Sequence, residues 1–156
     1  MSSNIDKRLA DLGITLPAPG SPAGNYIPYV IAGDLVFISG QIPREAGKMK
    51  YSGQVGRDLS VEQGHAAARL CAVNLLSQLK AACGGDLDRV ERCVRLGGFV
   101  SSPPDFFDHP QVVNGASDLM VEVFGERGPH ARAAVGAAAL PLNAAVEVEA
   151  IFQLKI

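Results

Sequence analysis

The stretch SVEQGHAAARLCAVNLLSQLKAACGG, residues 60–85, constrains the fold more than any other part of the chain. Ser60 and, three residues later, Gln63 form a capping box, each side chain satisfying a free backbone N–H at the start of a helix. Gly84 supplies the stop. Between them Ala68, Cys71, Ala72, Leu75, Leu76 and Leu79 recur at three- and four-residue steps, so this helix has one apolar face to bury. The far end of the chain offers a sheet to bury it against. VEVEAIFQL alternates, with Val146, Val148, Ala150 and Phe152 on one face and Glu147, Glu149, Ile151 and Gln153 on the other.

The other segments complete the pattern. YVIAGDLVFISG reads as two short strands, 29–31 and 35–38, turning at Gly33-Asp34. VERCVRLGGFVSS predicts a long strand broken by Gly97-Gly98, a pair that marks a bulge or a close backbone approach. A second helix is expected over 111–124, with Val112, Ala116, Leu119, Met120 and Val123 on one side and Gly125 beyond its end. ARAAVG is a further strand, and the polar residues 43–58 a surface loop. Residues 1–28, punctuated by Pro17, Pro19, Pro22 and Pro28, form an N-terminal arm with a short helix over 6–12; residues 29–156 form one domain. This order is α+β, packed most simply as one sheet with both helices on one face.

Charge and motifs exclude several functions. Fourteen basic and 16 acidic residues give a net charge of -2, and a pI near 5.9, without the cationic surplus that nucleic-acid binding needs. No apolar run approaches the roughly 18 residues of a membrane-spanning helix. The first 17 residues lack an apolar signal-peptide core, so a cytoplasmic protein is expected. Cys71, Cys83 and Cys93 have no metal-ligand spacing and no histidine close by in sequence; Cys71 reads as a small buried hydrophobe, and for Cys83 and Cys93 the same reading is favoured over a reactive thiol. His65, His109 and His130 are too dispersed to predict a metal site, and no phosphate-cradling or dinucleotide motif is present, so no cofactor is expected.

Polar residues collect near apolar strands in the last third. An arginine in HARAAVG needs a partner, because an unpaired buried guanidinium is costly. For Arg132 that is either a salt bridge to Glu147 or Glu149 on a neighbouring strand, or a carboxylate ligand matching its fork. Glu147 and Glu149 share a face and could serve acid–base chemistry, a solvated sheet face or an oligomer contact. Ser39, Gly40 and Gln41 end a strand, where they can offer backbone groups and a hydroxyl.

FISGQIP at 37–43, VNGASDLMVEVFG at 113–125 and above all HARAAVGAAALPLNAAVEVEAIF at 130–152 resemble the Rid family, also called YjgF, the reactive intermediate deaminases. The resemblance runs from about Tyr29 to the C-terminus. It implies a fold similar to chorismate mutase of the Bacillus type, assembled as a homotrimer with clefts between subunits. It also implies cofactor-free hydrolysis of enamine and imine intermediates released by pyridoxal-phosphate enzymes, giving a 2-oxo acid and ammonia. By the same resemblance Arg132 holds the substrate carboxylate and Glu147 positions the attacking water, while Tyr29, Ser39, Gly40, Asn114 and Ala134 line the pocket. Ala134 replaces the family's usual cysteine, and the arm and the 43–58 loop make the chain longer than typical members. The GASD stretch and LGGFVSSP resemble a branch that carries an endoribonuclease label. The alternatives to imine hydrolysis are a non-catalytic trimeric module binding a small carboxylate or a protein partner, and, less in keeping with the acidic pI, a ribonuclease.

Overall fold

In the computed structural model, which describes residues 3–22 and 24–156, five strands form one mixed sheet in the order β1-β2-β7-β5-β6. The strands are β1 (Tyr29–Ala32), β2 (Leu35–Gln41), β5 (Val90–Ser101), β6 (Ala131–Ala137) and β7 (Val146–Leu154). All neighbours are antiparallel except β5 and β6, whose parallel pairing requires a crossover, supplied by α3 (His109–Phe124). The long helix is α2 (Val61–Ala82), with the Ser60–Gln63 capping box formed in both directions. It lies over β2 and β7, and α3 lies over β5 and β6. One sheet with both helices on one face, as the sequence pattern predicts, is what results. Among the described residues no helix is long and apolar enough to cross a membrane.

The core lies between sheet and helices. Val36, Ile38, Leu96, Val100, Val146, Val148 and Phe152 meet Ala68, Cys71, Leu75, Leu119 and Met120, all buried. The residues alternating with them face the uncovered side, where Val30, Phe37 and Val135 are between 41% and 49% exposed. A sheet this apolar on its open face is unusual for a surface left to water.

Gly97-Gly98 does not break β5, which runs unbroken for 12 residues; its irregularities fall earlier, near Arg92 and Cys93–Arg95. The pair marks close approach instead: a side chain at Gly98 would meet Val113 of α3, and one at Gly97 the Glu149 side chain. Gly115 explains the odd GASD stretch in the same way. A Cβ there would overlap the His65 carbonyl oxygen of α2 and lie 2.9 Å from its carbon, so the two helices touch backbone to backbone. Gly115→Ala is therefore expected to destabilise the protein by about 1–3 kcal/mol, as overpacking does. For a chain of this size that is a fall in Tm of about 3–10 °C in a thermal melt. An unchanged Tm would mean that the helices can separate freely.

The 43–58 region is not all loop. It carries a small hairpin of β3 (Arg44–Glu45) and β4 (Lys48–Met49), turning through Ala46 and Gly47, both at positive φ. Helix α3 starts at His109, two residues before the sequence expectation, because Pro110 fits the first turn, where no N–H is needed. The arm begins with α1 (Asn4–Asp11), which starts two residues before and ends one before the predicted 6–12, because Ser3 caps it and Asp6 returns the bond. The Asp88 carboxylate accepts from the backbone of Asn4 and Ile5 at 2.8 and 3.0 Å, and Ile5 and Leu9 join the core. Of the arm, residues 1, 2 and 23 lie outside the described set.

Candidate functional site

Strand order decides which polar residues can meet. Strand β6 lies beside β5, not β7, so neither Glu147 nor Glu149 is on a strand neighbouring Arg132. The salt bridge to Glu147 or Glu149 offered by the sequence does not form; Glu149 pairs instead with Arg95 at 3.7 Å. Arg132 sits opposite Leu96, and Leu96 opposite Ala150, both buried, so its side chain leaves the sheet on the helix side. There Nη1 donates to Asn114 Oδ1 at 2.8 Å and to Ser117 Oγ at 3.0 Å, and Nη2 to the Pro110 carbonyl at 3.3 Å. Three of its five N–H groups are thereby used. The Nε–H and one Nη2 N–H remain, on adjacent nitrogens, the arrangement that grips a carboxylate side-on.

Ser117 and His130 extend this group. Ser117 Oγ lies 2.9 Å from His130 Nε2, and His130 Nδ1 lies 2.7 Å from the Gly128 carbonyl. Since a carbonyl only accepts, Nδ1 carries the proton, Ser117 donates to Nε2, and Ser117 Oγ is left to accept from Arg132. The guanidinium is thus oriented by a chain of bonds with one consistent direction. Ala134, two residues along β6 on the same face, is half-buried and packs on the core opposite Gly98.

The second group lies on the open face. Glu147 is opposite Phe99 and against Gly40, where a Cβ would collide with its carboxylate. The β2–β7 register shifts between Ile38 and Gln41, a bulge that places Ser39 and Gly40 at the irregularity. Ser39 donates its backbone N–H to the Pro28 carbonyl and its hydroxyl to that of Ile27, both at 2.9 Å, tying the end of the arm to the strand. Burial, and next the like charge of Glu149, hold the Glu147 carboxyl above its ordinary value. A carboxylate so perturbed is a better base than a solvated one. Gly40→Ala is expected to displace this carboxylate at little cost in stability, because the far end of a flexible side chain can move aside. Activity falling about tenfold or more with Tm preserved would show it, as expected when a reacting group is misplaced; full activity would detach Glu147 from the chemistry.

Ser39, Gly40 and Glu147 open into a cavity of about 430 Å³, also lined by the arm, the β3–β4 hairpin and the turn at Pro141–Asn143. Tyr29 is in neither group. It pairs with Ile38 and packs against the core, while Tyr26, three residues earlier, lines the cavity. The structure therefore brings Arg132 to Asn114 on one face, with Ala134 alongside, and Ser39 and Gly40 to Glu147 on the other.

Reactive thiols are not part of either group. Burial pushes Cys83 up to about 11 and Cys93 up to about 12, and raises Cys71 well above its ordinary value. Among the described residues no three His, Cys, Asp or Glu side chains gather as a metal site.

A family model described as "YjgF/chorismate_mutase-like, putative endoribonuclease" matches residues 6–154. Protein TCP17 of Trypanosoma cruzi is 50% identical over 154 residues, covering 98% of this chain and 96% of that one. The crystal structure of Atu1372 from Agrobacterium tumefaciens, a protein described as of unknown function, is 50% identical, with a TM-score of 0.91 over 97% of this chain and 92% of that one. A Shewanella oneidensis structure described as a "putative endoribonuclease" is 40% identical, with a TM-score of 0.93 over 96% and 99%. Sequence and fold agree: the chain belongs to the YjgF/chorismate mutase-like family.

Proposed function

We propose that the protein hydrolyses reactive 2-imino acids to 2-oxo acids and ammonia, at clefts completed by a second copy of the chain. The observation that carries this reading is the division of the polar residues. A carboxylate fork, Arg132, and a perturbed carboxylate, Glu147, stand on opposite faces of one sheet, so a cleft using both takes them from two copies. The exposed Val30, Phe37 and Val135 give the open face a reason to pair. A homotrimer, in which each copy lends Arg132 to one neighbour and Glu147 to the other, closes such a ring.

The chemistry asks little of the protein. Arg132 holds the substrate carboxylate, and Glu147 takes a proton from a water as its oxygen bonds to the imine carbon. From the N-protonated imine this gives a neutral carbinolamine, and Glu147 returns the proton to its nitrogen. The C–N bond then breaks as the hydroxyl proton passes back to Glu147, and ammonia leaves with the 2-oxo acid, carrying that proton away as ammonium. Holding water and imine in reacting distance, together with a base of raised pKa, accounts for the acceleration. No cofactor takes part.

Adding the protein to a pyridoxal-phosphate dehydratase working on serine or threonine is expected to speed 2-oxo acid release severalfold. No acceleration over a heat-treated control would contradict the proposal. Binding of the 2-oxo acid without turnover, seen by calorimetry, would favour a non-catalytic module instead.

A further inference from the structure

The cavity beside Glu147 is far larger than a three- or four-carbon imino acid needs. At about 430 Å³ it lies in the range that encloses ligands of many heavy atoms. Its walls are built firmly. From one face of α2, at helical spacing, Ser77 donates to the Pro17 carbonyl at 2.6 Å and Gln78 to that of Gly20 at 2.9 Å. Asn74 donates to the carbonyls of Ile42 and Arg44 at 3.0 and 3.1 Å. Ser77 and Gln78 are buried polar residues, so the helix spends polar positions on holding the arm against the cavity.

Backbone strain collects at the same place. The non-glycine residues with positive φ among the described residues are Ala46, Leu142 and Asn143; Ala46 and Leu142 line the cavity and Asn143 is the next residue. Leucine disfavours this region, and Asn tolerates it. Leu142, at φ 58 and ψ 23, is nonetheless held there by the turn, which is fixed by Asn143 N–H to the Leu140 carbonyl and Gly53 N–H to that of Asn143. The side chain so placed is 60% exposed and not part of the core, and Tyr26 beside the same cavity is 53% exposed. Strain maintained to present an apolar side chain to a cavity is a feature of ligand sites.

We infer that Leu142 and Tyr26 form an apolar specificity wall, and that the preferred substrates are 2-imino acids with bulky apolar side chains. This rests on the proposed imine hydrolysis and adds to it the substrate class. Each additional methylene buried against the wall favours the larger substrate, so leucine- or phenylalanine-derived imine is expected to exceed alanine-derived imine by at least about tenfold in kcat/KM.

The test uses imines made in place by an L-amino-acid oxidase with catalase, with semicarbazide as the competing trap. The wild-type ratio of kcat/KM, leucine imine to alanine imine, is expected to be tenfold or more. In Leu142→Asn, which keeps a residue tolerant of the backbone angle, and independently in Tyr26→Ser, the ratio should fall about tenfold, mostly through KM. A wild-type ratio near one, or variants that slow both substrates alike, would overturn the specificity wall while leaving imine hydrolysis standing. If no imine is hydrolysed at all, the catalytic reading fails, and calorimetry then decides the wall separately. Binding of 4-methyl-2-oxopentanoate about tenfold tighter than pyruvate, lost in Leu142→Asn, supports it; equal binding or none overturns it.

Discussion

Arg132→Lys is expected to lower kcat/KM for 2-imino acid hydrolysis about a hundredfold, the scale for breaking a hydrogen-bonded charge contact in a desolvated site. Charge is conserved in this variant, so the loss isolates geometry. The guanidinium donates to Asn114, Ser117 and Pro110 and still keeps two adjacent N–H groups for a carboxylate. An ammonium has only three donors and no fixed plane, so it can satisfy the protein or the ligand but not both. Most of the loss is expected in KM, with some in kcat because a loosely held imine meets the water less often in line. Retention of a third of the activity would show that a point charge suffices and that the fork is not used.

Glu147→Gln is expected to lower kcat by a factor of about 10² to 10⁴, the range for removing a general base, with little change in KM. The pH profile carries a second signature. Glu147 must be ionised to take a proton, and burial and Glu149 both hold its carboxyl above its ordinary value. The acid limb of kcat/KM therefore lies at higher pH than a free carboxylate would give. Glu149→Gln removes the like charge, which lowers the Glu147 pKa, so the limb should move to lower pH. A limb that stays in place, or moves up, would show that another group controls it.

Much of this site is legible in the sequence, for identifiable reasons. The alternation of 146–154 puts Glu147 on the face opposite Val146 and Val148, because period two leaves no choice once one face is apolar. The Ser60–Gln63 box and the three- and four-residue steps place α2 to the residue at its start. The partner of Arg132 is not legible, because strand order is set by crossovers: α3 carries the chain from β5 to a parallel β6, and this alone separates Arg132 from the glutamates. Ser117 and His130 complete its bonds through the fold rather than through local spacing, although Asn114 and Ser117 at i, i+3 share a helix face and hint at it. The cavity is hidden for a similar reason. Asn74, Ser77 and Gln78 look like ordinary polar positions in a helix until the arm and hairpin carbonyls they hold are in view. Tyr29 shows the converse: the family resemblance implies a place in the pocket, while within one chain it pairs with Ile38 and packs against the core.

The most direct test of a cleft shared between two copies is subunit mixing. Arg132→Lys and Glu147→Gln chains, each nearly inactive alone, are co-expressed with different tags, and assemblies carrying both tags are assayed for imine hydrolysis. If each cleft takes Arg132 from one copy and Glu147 from its neighbour, one cleft of the three in every mixed trimer is intact, and activity of about a third of wild type returns. Activity no higher than that of the single variants would mean that both residues act within one chain, or that they do not act together, and would contradict the account.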